Sequence, residues 1–286
     1  DELTAAFVTS GTKVTASNAV VTFDDVANAT MTAKQLSDIG GAVASASVTN
    51  KVLVDGDHDE LTAAFVTSGT KVTASKAVVT FDDVTNATMT AKQISDIVGA
   101  VTSATITNKV AISGDVSDMT AALVTAGTSA TIGTTGTTAT VSDLATLSEA
   151  NAIAKINNVT ASFTLGLSDS STALTKNATT ISDDMAAVTT DQSDIKITVN
   201  DAKDATVSAT RLAAIGGATT GDVTVSSAVK VTDNHDNLTA AFVTTGTKVL
   251  ATSAVLTFND NANTTITAKE LSDIGGAVAS ASVTNK

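Results

Sequence analysis

DELTAAFVTSGTK occupies residues 1–13, and the same thirteen letters return at residues 59–71. A close copy, DNLTAAFVTTGTK, stands at residues 236–248. Outward from this segment, residues 1–51 align with residues 59–109 with seven differences, among them Leu36/Ile94, Val48/Ile106 and Ala27/Thr85. A third copy covers residues 236–286. The step is 58 residues from Leu3 to Leu61 and 177 from Leu61 to Leu238, so the middle of the chain has room for whole, diverged units. Self-similarity at a fixed period is the mark of a repeat architecture. The predicted organisation is one continuous array with units near 1–58, 59–117, 118–177, 178–235 and 236–286.

Each unit is itself double. Short segments with apolar residues three or four apart recur around Leu3, Leu36, Leu61, Ile94, Met119, Leu147, Met185, Leu212, Leu238 and Leu271, with a further candidate at Leu174. They begin at or beside Asp or Thr (Asp59, Thr32 and Asp118 as N-caps) and end near Gly (Gly11, Gly40, Gly69, Gly127), which reads as short capped helices. Between them lie Val-, Ile- and Thr-rich runs such as 18–23, 46–54, 137–141, 195–199 and 221–229. Many of these alternate apolar with polar, as strands with one buried face do. Helices this short cannot stand alone and must lie on the strands. The expected fold class is therefore mainly β. It would be a parallel, right-handed β-helix-like solenoid with short helices at the corners, in about ten coils, a rod on the order of 50 Å long.

Composition narrows the function. The chain has 286 residues, no Cys, Pro, Trp or Tyr, seven Phe, and 43% hydrophobic residues, mostly Ala and Val. Small side chains suit repetitive stacking better than an irregular core. Charged residues are 16%, with a net charge of −13, which argues against nucleic acid and against an anionic membrane surface as partners. Zero Cys excludes disulfides and thiol chemistry. No apolar run approaches the roughly 20 residues of a membrane-spanning helix. Lys286 aligns with Lys51 and Lys109, and neither end resembles a polar cap. The expectation is a window of a longer tandem array, or a protomer that docks end to end through exposed sheet edges.

Few residues suggest chemistry. Asp55, Asp57 and Asp59 alternate as at the opening of a calcium loop, but Gly is missing at the sixth position and the twelfth is Val66. Calcium at this turn is one expectation; N-caps and solvated turns are the other. Asp24-Asp25 and Asp82-Asp83 form a second recurring acidic turn, read in the same way. His58 and His235 occupy matching turns and read as surface residues rather than zinc ligands, and no Ser/His/Asp arrangement is recognisable. Asn28, Asn86 and Asn263 fit the N-glycan acceptor pattern at matching positions. Thr-x-Thr pairs appear once per two coils, too sparsely for an ice-binding array.

The strand–Asp/Ser-x-Leu-Thr/Ala-Ala–Gly-Thr pattern is carried by 59–70, 141–145, 208–217 and 236–247. It resembles the tandem β-repeat regions of giant secreted and cell-surface fibre or adhesin proteins of cyanobacteria and other bacteria. The resemblance spans nearly the whole chain through texture, not through an invariant motif. It implies an extracellular, structural role with no enzyme activity. The tandem repeats and uncapped ends add the expectation of self-association, end to end and laterally, with surface glycans as a further partner. The alternative is a calcium-dependent adhesin repeat. A polysaccharide-cleaving enzyme is poorly supported, because Arg211 is the only Arg and aromatics are few.

Overall fold

The structure is a computed structural model that describes residues 2–11 and 14–284. Among the described residues there are eleven helices and eighteen strands. The helices together hold slightly more residues than the strands, and no strand exceeds eight residues. This overturns the expectation of a mainly β, right-handed β-solenoid. The protein is a mixed α/β structure with several short parallel sheets. The physical reason lies in the helices. Ten of them run for six residues or more, only Ser171–Leu174 being shorter, so they are full elements rather than corners.

Capping follows directly from sequence. Thr32, Thr90, Thr146 and Thr267 each sit at an N-cap three residues before Gln or Glu, and each closes a reciprocal capping box. Thr32 is as expected. Asp59 and Asp118 are not caps: the helices begin earlier, at His58 and Val116, and the caps are Asp57 and Asp115. All eleven apolar anchors lie in helices, one in each. Leu36, Leu61, Ile94, Met119, Leu174, Met185, Leu212 and Leu238 are wholly buried, so the helices contribute as much of the core as the strands do.

The glycines after the helices divide into two kinds. Gly69, Gly127 and Gly246 have φ near +90°, where a side chain is strained. Gly40 instead lies inside helix Ala33–Gly40, and a Cβ there would come 2.0 Å from the Thr70 carbonyl oxygen. Its role is close approach. At the matching position of the second copy stands buried Val98, in a helix (Ala91–Gly99) one residue longer, so that junction is built differently.

The chain divides into two compact units. One comprises residues 1–140 with 156–160, the other residues 141–155 with 161–286. In the first, strands Thr30–Thr32, Leu53–Gly56, Val78–Phe81, Ser103–Ile106 and Thr131–Ile132 form a parallel sheet in chain order. Val78 pairs with Leu53 on one side and Ser103 on the other, each 25 residues away. Strand Ala16–Phe23 pairs in parallel with Val43–Val48. In the second unit, Leu167–Asp169, Ile197–Val199 and Val223–Val225 form one parallel sheet. Strands Thr206–Val207, Lys230–Asp233, Ala251–Phe258 and Val278–Val283 form another. Alternate strand residues face inward: in Val78–Phe81, Val79 and Phe81 are wholly buried while Val78 and Thr80 are not. No helix among the described residues is long and apolar enough to cross a membrane.

Candidate functional site

The acidic turns are drawn together differently from the sequence expectation. Asp55 lies in strand Leu53–Gly56, half-buried, opposite Thr80. Asp57 caps helix His58–Phe65 and accepts from the Glu60 N–H at 2.8 Å. Asp59 is in the first helical turn with its carboxylate 81% exposed. Among the described residues no group of three or more His, Asp or Glu side chains is arranged to hold a metal ion. Asp82, from the neighbouring strand's end, joins the electrostatic surroundings of Asp55 and Asp57. Burial first, then Asp55, Asp57 and Asp83, push its carboxyl above the usual carboxylate range.

Asp83 and His58 are the pair that sequence reading missed. Asp83 is buried, not a solvated turn residue. Its carboxylate accepts the His58 backbone N–H at 3.1 Å and also bonds His58 Nδ1. The other imidazole nitrogen faces Asp59 at 3.5 Å. The third copy repeats the arrangement. Buried Asp260 accepts the His235 N–H at 3.1 Å and bonds Nδ1 at 2.6 Å, while Nε2 lies 3.3 Å from Asp236. Each histidine is therefore held between a buried and an exposed carboxylate. The imidazolium, which donates from both nitrogens, satisfies both contacts; either neutral tautomer donates only once.

The carboxylate half of this device recurs without histidine. Asp169 accepts from Leu147 N–H at 3.3 Å, Asp201 from Ser171 N–H at 2.9 Å, and Asp233 from Ala209 N–H at 3.2 Å. In each case an Asp some 22 to 30 residues downstream takes the first amide of an upstream helix. Helix N-termini leave such amides unpaired, and a carboxylate there also meets the positive end of the helix dipole. The signal in the sequence was the fixed separation: His58 to Asp83 and His235 to Asp260 are both 25 residues.

The second pair titrates with a definite sign. The hydrogen bond to Asp260 is the largest influence on His235 and raises its pKa above 6.5, against burial, with Asp236 and Glu270 adding to the rise. For Asp260, burial is the largest single effect and pushes up, but bonds from the His235 side chain and backbone outweigh it and the net shift is downward from 3.8. A raised histidine stabilises the fold below its unfolded pKa and loses that contribution as pH rises through the folded value. A lowered carboxylate stabilises above its unfolded pKa and loses its part as pH falls. The melting-temperature difference between wild type and His235→Gln is therefore expected to be largest near pH 5. It should shrink above about pH 7 and below about pH 4. A difference that does not change between pH 5 and pH 8 would contradict this arrangement.

The residues around His235 (Asn234, Asp236, Asn259, Asp260, Asn261 and Thr264) line an open depression. With both imidazole nitrogens turned to carboxylates, the arrangement suits holding a helix end against the next strand's turn. Asn28, Asn86 and Asn263 are exposed and take φ of 65°, 67° and 70° in matching turns. Asn is among the few residues that tolerate this conformation, so the turn itself accounts for its recurrence. The backbone N–H groups of Asn28 and Asn86 donate to Lys51 and Lys109 carbonyls, both at 2.7 Å.

Comparison of the chain with protein-family models, with curated proteins and with solved structures gives no match. Nothing in these comparisons points to adhesion or to an extracellular location, and the expectation of an adhesive β-solenoid is withdrawn with the fold that motivated it.

Proposed function

We propose that this chain is a non-enzymatic structural segment whose tandem units extend a filament or fibre by self-association. The supporting observation is that successive strands pair in parallel at a 25-residue spacing both between and within the near-identical units, with helix-to-helix packing alongside. Backbone ladders of this kind extend without a change of sequence, and an uncovered sheet edge accepts more of the same. The recurring Asp-to-helix contacts serve the same end, because each ties the start of a helix to an Asp 24 to 30 residues further along the chain. An extracellular setting for such a fibre rests on the resemblance to secreted repeat proteins alone. Electron microscopy of the concentrated chain tests the proposal: elongated assemblies many times longer than one molecule are expected. Discrete particles of single-chain mass at every concentration would refute it.

A further inference from the structure

Strand Val159–Phe163 stands at the edge of its sheet, with the side chains of Val159, Ala161 and Phe163 buried. On one side the Thr164 N–H donates to the Val141 carbonyl at 2.9 Å. Successive residues of a strand turn their amides to opposite sides, so Ala161 and Phe163 present theirs to the other side. Among the described residues no strand pairs there. Two side chains occupy the place instead. The Asp191 carboxylate accepts the Ala161 N–H at 2.9 Å, and the Gln192 side-chain carbonyl accepts the Phe163 N–H at 2.6 Å.

Comparable edges elsewhere in the chain are covered by backbone. Residues 46–48 meet Thr73: the Thr73 N–H donates to the Ala46 carbonyl at 3.0 Å, and the Val48 N–H donates to the Thr73 carbonyl at 2.8 Å. Residues 223–225 meet Leu250 in the same way, with both bonds at 2.8 Å. Thr73 bridges Ser47 and Leu250 bridges Thr224, each 26 residues further on. The same step from Ser162 reaches Val188, which lies inside helix Asp183–Asp191 and cannot continue a ladder. Asp191 and Gln192 stand at the end of that helix. Gln192 is extended, with φ −133° and ψ 95°, and its side chain offers Phe163 the acceptor that Thr73 offers Val48 from the main chain. A carboxylate in the last turn of a helix faces the negative end of the dipole, so helix stability does not account for Asp191. Its bond to the Ala161 amide does.

We infer that Asp191 and Gln192 lock this edge: their side chains take the place of a strand, and without them the edge at residues 161–163 pairs with a second copy of this chain. The inference does not depend on the filament reading, because it concerns an edge that the folded chain keeps shut. Free amides along a sheet edge are a template for further strands, and charged or polar groups blunt such edges. A side-chain acceptor satisfies one N–H without presenting a ladder that another chain could continue. The occupant of the opened edge follows from the two backbone-covered edges, where the covering segment is this chain's own sequence. Between molecules, the opened edge of one copy meets the same edge of another, a self-complementary contact.

Amide hydrogen exchange followed residue by residue, with light scattering at matched concentrations, tests the lock. In dilute Asp191→Ala/Gln192→Ala, the Ala161 and Phe163 amides are expected to exchange about tenfold faster than in wild type, while Thr164, bonded to Val141, changes little. At higher concentration the mean mass of this variant is expected to exceed that of wild type at the same concentration. Asp191→Asn carries the same net charge as the double variant but keeps an acceptor oxygen, so it is expected to match wild type in both readings. Gln192→Ala alone opens only Phe163 and carries the test if the double variant does not fold. Unchanged exchange at Ala161 and Phe163 would show that these side chains are not what shields the edge. Faster exchange with no gain in mass, or an equal gain in mass in Asp191→Asn, would show that the opened edge is not what associates. Each of these results overturns the inference.

Discussion

Gly216→Ala is expected to destabilise the second compact unit by about 3 kcal/mol, lowering its melting temperature by roughly 10 °C. Gly216 ends helix Ala209–Gly216, which packs on helix His235–Phe242. A methyl group there would lie 2.0 Å from the Thr247 carbonyl oxygen and 2.6 Å from its carbon. Backbone atoms cannot swing aside as a flexible side chain does, so the two segments must separate by about an ångström or more, uncovering well-packed apolar surface. Helix propensity works in the other direction, since Ala is favoured over Gly by up to about 1 kcal/mol. Gly275 supplies the control. It is also in a helix, Ala268–Gly276, and its substituent would meet nothing within 4 Å, so Gly275→Ala is expected to be neutral or mildly stabilising. Thermal unfolding of the two variants side by side separates close approach from propensity. Equal melting temperatures would show that the Gly216 approach carries no strain cost.

Asp83→Ala is expected to cost the first compact unit about 3 kcal/mol, among the larger effects available to a single side-chain truncation here. The carboxylate is buried and holds two donors at once, the first amide of helix His58–Phe65 and the His58 imidazole. Its own carbonyl accepts from the Asn108 side chain at 2.8 Å, so the turn that presents the carboxylate is itself fixed. Truncation leaves two polar groups in a half-buried site with no acceptor of the right geometry. Asp83→Asn keeps one acceptor oxygen and is expected to fall between wild type and Ala. The neighbouring carboxyl behaves differently. Asp82 is exposed and repelled by Asp55, Asp57 and Asp83, so Asp82→Ala is expected to lie within about 0.5 kcal/mol of wild type. Denaturant unfolding of the three variants gives the ordering; Asp82→Ala as damaging as Asp83→Ala would mean that the paired donors of Asp83 do not account for the cost.

The acidic dipeptides show how far local reading reached. Asp82 and Asp83 are neighbours with the same side chain, and sequence treats them alike. In a strand that ends by turning, successive residues face opposite ways, so one carboxylate enters the interior and the other meets water. The same limit produced the shifted caps. Asp57 and Asp59 both lie within reach of a helix start, and only the backbone path from strand Leu53–Gly56 decides which of them receives the Glu60 amide. His58 read as a surface residue because its partner is 25 residues away, beyond any local pattern.

Sequence alone determined the repeat, its 58-residue step, the eleven apolar anchors and the Val- and Thr-rich runs between them, because these depend on spacing and propensity along the chain. The capping boxes are equally local, their partners lying three residues apart, though of their threonines only Thr32 is read as a cap from sequence. Only tertiary structure decided the balance of helix and strand, the two compact units, and which face of each repeat is covered. Leu36 and Leu271 are flanked by the same downstream letters yet one is buried and the other is 36% exposed. Burial is a property of what lies alongside a residue, and for this chain that neighbour is another copy of its own sequence.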